Sequence, residues 1–183
     1  MQIVIHQDIR APRALVFATA IDVKSWPNII SSIERTEFLT REPIVAGTRI
    51  RQARRFRRRA LTETMTFTEF EPPQSFVLTG SNHGAAYVIA HIFDETREGT
   101  RMTLAFTAAP RGMGARLLSP LALLFRADLA RQIKNDLAEL AHHGAVALGD
   151  GELALECRRV DADAVGFVLA CAALLARLGF RVE

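Results

Sequence analysis

Ile3, Ile5 and Ile9 share one parity between Gln2 and Ile9, against Gln2, Val4, His6 and Asp8, which predicts a first β-strand. Ala11-Pro12 ends it, and Pro12 suits the first turn of a helix, where its missing N–H costs nothing. Leu15, Val16, Ala18 and Thr19 mark one face of that helix, which runs to about Asp22. Ser25-Trp26-Pro27-Asn28 reads as the start of a second, short helix. Alternation returns over 33–40, and a loop runs from Glu42-Pro43 to Gly47. From Thr48 to Pro110 strand follows strand, with turn signals at Arg58-Arg59, Pro72-Pro73, His83-Gly84 and Glu98-Gly99, the mark of an antiparallel meander. Beyond Arg111-Gly112-Met113-Gly114 the period changes. Leu117, Leu121, Phe125, Leu129, Ile133, Leu137 and Leu140 recur at helical spacing as far as Gly144. The predicted order is one strand, two helices, a run of strands and one long amphipathic helix, with no internal repeat.

The last segment, 146–183, breaks that pattern. Gly149-Asp150-Gly151 reads as a linker and Leu153 to Val160 as a strand. Asp161 caps a helix over about 162–178 that Gly179 ends. That helix is apolar nearly all round and needs a cover: the main domain, a second copy in a homodimer, or a membrane surface. Its uninterrupted apolar run, Ala164 to Ala176, would span ~20 Å as a helix, short of the ~30 Å hydrocarbon core.

Composition narrows the class. A chain of 183 residues that is 49% hydrophobic, with eleven Phe, builds a core and is not disordered. Net charge is +3, and the cations are almost wholly arginine, Lys24 and Lys134 being the two lysines. Cys157 and Cys171 are too few for a disulfide framework and too isolated for a metal knuckle. The opening MQIVIHQDIR lacks the basic-then-apolar pattern of a signal peptide, and a cytoplasmic protein is expected.

Certain local words resemble those of the START/Bet v 1-like (SRPBCC) superfamily, within it the polyketide cyclase/dehydrase and lipid-transport group. They are Ile9-Arg10-Ala11-Pro12 leading into Val16-Phe17, Asp22-Val23-Lys24-Ser25-Trp26-Pro27, Gly47-Thr48, Glu69-Phe70-Glu71-Pro72-Pro73, and the closing helix. The resemblance covers about 1–145 and leaves 146–183 as a C-terminal extension. It implies an α+β helix-grip fold, a curved antiparallel sheet wrapped around the long C-terminal helix with a ligand cavity between them. It also implies a hydrophobic small-molecule ligand, but no single reaction, because one fold serves many chemistries.

Strand parity identifies the residues that would line such a cavity. A hairpin turn at Arg58-Arg59 pairs Phe56 with Leu61, Arg54 with Glu63, Gln52 with Met65 and Ile50 with Phe67, all on one apolar face. The next turn adds Phe76, Leu78, Gly80 and Asn82. A turn at Glu98-Gly99 pairs Phe93 with Leu104 and His91 with Phe106, and adds Tyr87 and Ile89. Leu121 and Phe125 of the long helix join them. Among these apolar positions Gln52, Arg54, Glu63, Asn82, Tyr87 and His91 are polar, the make-up of a small-molecule site.

Arg54 and Glu63 form either a buried salt bridge that fixes register, or a working pair. In the second case Arg54 holds a carboxylate, enolate or phenolate oxygen and Glu63 moves a proton. Tyr87 and His91 point the same way from one strand and join the catalytic candidates if the protein is an enzyme. Asn82 doubles as a turn residue. Trp26 either closes the cavity mouth or packs under the short helix.

No phosphate loop, dinucleotide fingerprint, nucleophile elbow or metal-ligand set appears, so neither a cofactor nor a metal is expected. On the outer face Arg49, Arg51, Arg55, Arg57 and Arg59 make a cationic stripe, with Arg58 at the turn. It is either a solvated face or a dock for an acidic partner such as an acyl carrier protein. The absence of interleaved aromatics argues against nucleic acid. The expected function is binding of a lipid or polyketide-like molecule. The alternatives are a cyclase/aromatase acting on a carrier-bound chain, and a quinone- or ribosome-associated module of the same superfamily.

Overall fold

The computed structural model describes residues 1–56, 59–82, 85–110 and 126–146. Strands β1 (Gln2–Ile9), β2 (Ile33–Phe38), β3 (Arg49–Phe56), β4 (Arg59–Glu71), β5 (Ser75–Asn82), β6 (Ala85–Thr96) and β7 (Gly99–Pro110) form one sheet in the order β1-β7-β6-β5-β4-β3-β2. Every neighbouring pair is antiparallel. Two short helices, α1 (Arg13–Ile21) and α2 (Trp26–Ile29), join β1 to β2, and the long helix α3 (Arg126–Val146) lies against the concave face. This is the Bet v 1-like helix-grip. The expected wall residues Leu121 and Phe125, Arg57 of the outer stripe, and the tail with its helix over 162–178 lie outside the described residues.

The local signals act through backbone hydrogen bonding. Pro12 stands at the N-cap of α1, and its carbonyl accepts from the N–H groups of Leu15 and Val16 at 3.0 and 3.1 Å. Proline fixes φ where the helix begins and gives up a donor that would have had no partner. The buried stripe of α1 is Val16, Phe17 and Ala20, with Leu15 and Thr19 at its margin. Ala18 faces solvent, which corrects the expected helix face.

Two hairpin registers differ from expectation by two residues. Phe56 pairs with Arg59, Arg54 with Leu61, Gln52 with Glu63 and Ile50 with Met65. In the β6–β7 hairpin Thr96 pairs with Gly99, Phe93 with Met102, His91 with Leu104 and Ile89 with Phe106. Gly99 is therefore not a turn residue but the first of β7, at φ +146, and a Cβ there would sit 2.2 Å from the Ile9 carbonyl oxygen. Close approach of β1 demands glycine at that point. Because the slip is two residues, every side chain keeps its face.

Between β4 and β5 the register shifts between Phe67 and Glu69, so Phe67 pairs with Leu78 and Phe70 with Phe76. That bulge brings Phe70 onto the concave side, where Phe17 of α1 meets the rings of Phe70, Phe76 and Phe93 at centroid distances of 5.8, 6.0 and 5.3 Å. Phe67 completes the cluster, 5.6 Å from Phe76. One end of the concave face is thus filled with interlocking aromatic rings, and Phe67, Phe76 and Phe93 are at most 1% exposed.

Candidate functional site

The other end of the concave face is not filled. A cavity of about 470 Å³ lies between the sheet, α2 and α3, within the usual range of small-molecule pockets. From the sheet, Phe56, Met65, Leu78, Ile89, Leu104 and Phe106 supply apolar wall, with Asn82 among them. From the helices come Trp26 and Ile30, and then Leu129, Ile133, Leu137 and Leu140 on one stripe of α3. Trp26 does two jobs: its ring lines the cavity and its Nε1 donates to the Ala20 carbonyl at 3.1 Å, tying α2 to the end of α1. Phe67, expected in this wall, belongs to the aromatic cluster instead.

Arg54 and Glu63 both reach the cavity, but not each other's position on the ladder. Arg54 Nη2 donates to Asp136 Oδ2 of α3 at 2.5 Å and to Ser32 Oγ at 3.0 Å. Ser32 Oγ donates in turn to Asp136 Oδ1 at 2.8 Å. One turn further along, Glu139 accepts from both the N–H and the hydroxyl of Ser31, at 2.8 and 2.7 Å. These bonds clamp α3 onto the start of β2 and onto β3. Asp136 is the site residue that hydrophobic periodicity passes over, since it is the acidic member of an otherwise apolar stripe. Its signal was an inward arginine that needs a counter-ion, with Asp136 three residues from Ile133 and four from Leu140 on the facing helix.

Glu63 has a different partner. Tyr87 donates its hydroxyl to Glu63 Oε2 at 2.5 Å, reaching from β6 across β5 to β4. Gly80 makes that reach possible. It pairs directly with Tyr87, and a Cβ on Gly80 would stand 2.4 Å from the Tyr87 hydroxyl oxygen. The Tyr87 ring also stacks on Phe106 at 5.9 Å. Gln52, opposite Glu63 on β3, is a further polar group of the wall and only 3% exposed.

His91 stacks on Phe76 with ring centroids 4.3 Å apart, where the cavity meets the aromatic cluster. Its Nδ1 is buried without a hydrogen-bond partner among the described residues. Loss of solvation opposes the charged imidazolium and pushes the pKa down to about 3, so the ring is neutral at ordinary pH. Burial raises the Tyr87 phenol, helped by the negative charge and the hydrogen bond of Glu63. Burial raises Asp136 as well, while Arg54 and Ser32 oppose that shift.

On the convex face the stripe is partly neutralised by its neighbour strand. Arg51 pairs with Glu37 at 2.8 Å and Arg55 with Glu34, whereas Arg49 is exposed and has no ion-pair partner among the described residues. Arg59, expected in this stripe, pairs with Phe56 and has the concave parity of Leu61 and Glu63, exposed at the hairpin end, because the outward parity of β3 does not carry over to its partner strand. No helix among the described residues is long and apolar enough to cross a membrane.

Solved structures share this architecture. The protein TTHA0849 from Thermus thermophilus is 19% identical with a TM-score of 0.66, over 82% of this chain and 100% of that one. The ZhuI aromatase/cyclase from Streptomyces sp. R1128 is 15% identical with a TM-score of 0.67, over 81% and 94%. The di-domain aromatase/cyclase StfQ of the steffimycin biosynthetic pathway is also 15% identical with a TM-score of 0.67, over 81% of this chain and 52% of that one. At such identities the likeness is one of fold. Among curated proteins no sequence match is found. Across residues 2–144 the sequence fits the polyketide cyclase/dehydrase and lipid transport family, to which this chain belongs.

Proposed function

We propose that this protein binds a hydrophobic small molecule, lipid or polyketide-like, in the cavity between sheet and α3. The observation that carries this reading is the contrast within that wall: about 470 Å³ bounded by aliphatic and aromatic side chains, with a few polar groups held in fixed places. Apolar surface supplies affinity and the polar groups orient what enters. Family membership supports the same class of ligand. Native mass spectrometry of the protein incubated with the neutral apolar probe N-phenyl-1-naphthylamine tests it. A one-to-one adduct is the expected result, and no adduct at saturating probe contradicts the reading.

A second reading, cyclisation of a carrier-bound polyketide, is favoured by one observation: Glu63, Tyr87, His91 and the Arg54–Asp136 pair, all titratable, surround one apolar space. Two of the similar structures are described as aromatase/cyclases. In this reading Arg54 stabilises an enolate, and Glu63, Tyr87 or His91 moves protons. An acyl carrier protein would then dock at Arg49, Arg51, Arg55 and Arg57. Turnover of a ketide surrogate that Glu63→Gln leaves undiminished would remove Glu63 from such a mechanism.

A further inference from the structure

The charges around the cavity discriminate among apolar ligands. Arg54 is the one cationic side chain among the described residues of the wall, and its Nη2 is committed to Asp136 and Ser32. The amino group of Met1, also at the wall, donates to the Ala108 carbonyl at 2.9 Å. Among the described residues the wall carries two carboxyl groups, Asp136 and Glu63. Asp136 is balanced by Arg54, but Glu63 has no ion-pair partner among the described residues. What Glu63 receives is a single neutral hydrogen bond, from Tyr87 to Oε2, and its Oε1 accepts none among the described residues. Gln52 and His91 are neutral and bring no compensating charge.

We infer that this cavity selects a neutral, hydroxyl-bearing apolar ligand, whose O–H meets the open oxygen of Glu63, and disfavours the matching carboxylate. An anionic head entering the cavity leaves water, meets a second negative charge across a short low-dielectric gap, and finds the one guanidinium among the described residues of the wall already paired with Asp136. A hydroxyl or phenol carries no charge to desolvate and supplies the donor that Glu63 lacks. Tyr87 already donates its hydroxyl to Glu63 in a hydrogen bond, so it cannot donate to an incoming anion without first abandoning that bond. Specificity of this kind works by rejection as much as by attraction.

This inference rests on the cavity being a ligand site, and its test separates the two claims. Isothermal titration of the whole chain near neutral pH compares 2-naphthol with 2-naphthoate, one apolar body with a neutral or an ionised head. The expected result is naphthol binding about tenfold or more tightly than naphthoate. Glu63→Gln should close the gap to within about threefold, since it removes the charge and keeps the shape. Tyr87→Phe should widen it, because Glu63 then depends wholly on the ligand for a donor. Naphthoate binding as tightly as naphthol overturns the inference while leaving the ligand site standing. A gap unchanged in a folded Glu63→Gln protein does the same. Should Glu63→Gln not fold, a gap that narrows in Tyr87→Phe overturns it. If neither probe binds, the ligand-site reading itself fails.

Discussion

The two ends of one concave face have opposite fates. At the α1 end Phe17, Phe67, Phe70, Phe76 and Phe93 interlock and leave no space, whereas at the α3 end smaller and polar side chains stand round a cavity. Apart from the bulge that turns Phe70 inward, both ends obey the same strand alternation, so parity alone does not separate core from site. The difference is the volume each strand position contributes. Gly80, Ala85 and Ala108 occupy inward positions at the open end, where the packed end has phenylalanine. Polar groups also sort themselves by this division. The ion pair and the Tyr87–Glu63 bond lie at the open end, and His91 stands at the border with its ring on Phe76.

The largest test of the comparison is a matched pair of truncations. Phe76→Ala leaves a hole in close-packed rings and should cost about 3–5 kcal/mol. Ile89→Ala only enlarges a space that is already there, losing transfer energy without much new void, and should cost about 1–2 kcal/mol. Denaturant titration measures both, and equal costs would mean that the open end is packed like the closed one.

Next comes the ion pair that clamps α3. Arg54→Met strands the carboxyl of Asp136, whose side chain is only 16% exposed, and should cost about 2–4 kcal/mol. Adding Asp136→Leu should recover most of that loss, because two apolar groups need no partner. A double variant no more stable than the single one would place the clamp's value elsewhere.

The border residue supplies a pH effect. His91 binds a proton below about 6.5 when unfolded but only near 3 when folded. Between these values the unfolded chain holds more protons, so stability rises with pH and is lost as pH falls, by up to about 1.4 kcal/mol per pH unit. His91→Phe, which keeps a ring against Phe76, should remove that component of the slope. Parallel pH profiles for the two proteins would contradict the burial of this imidazole.

The smallest effect on stability is expected at Gly80. Gly80→Ala should change it by less than about 1 kcal/mol, since the gain in strand propensity offsets the disturbed ring. The added methyl must nevertheless push Tyr87 away from Glu63. Tyr87 is the only tyrosine in the chain, so an absorbance titration of its phenol reads this directly. The pKa should move down toward the ordinary 10.0, and an unchanged titration would deny Gly80 its spacing role.

Much of this architecture was legible in the sequence. Strand alternation put Gln52, Arg54, Glu63, Tyr87 and His91 on one face, and the spacing of Leu129, Ile133, Leu137 and Leu140 marked the helix that covers it. Register was less legible, because Arg57-Arg58 and Arg58-Arg59 are equally plausible turn centres and a slip of two costs no change of face. The partner of Arg54 was missed for a different reason. Cross-strand reasoning sees only neighbours on the ladder, while Asp136 arrives from a helix 82 positions away in sequence. Phe67 shares the inward parity of the wall, and only the arrival of α1 with Phe17 shows that its end of the face is filled. The tail helix expected over 162–178 lies outside the described residues, so what covers it was not legible from the fold.

The central claim is that the α3 end of the concave face is open to an apolar guest. The most direct measurement is the stoichiometry and affinity of N-phenyl-1-naphthylamine for the wild-type chain and for Ile89→Trp, which fills the cavity from the sheet side. Thermal melts of both proteins would confirm that each is folded. The account predicts one probe per wild-type chain and binding weakened by about tenfold or more in Ile89→Trp. Equal binding by the two folded proteins would place the guest outside this cavity and contradict the account.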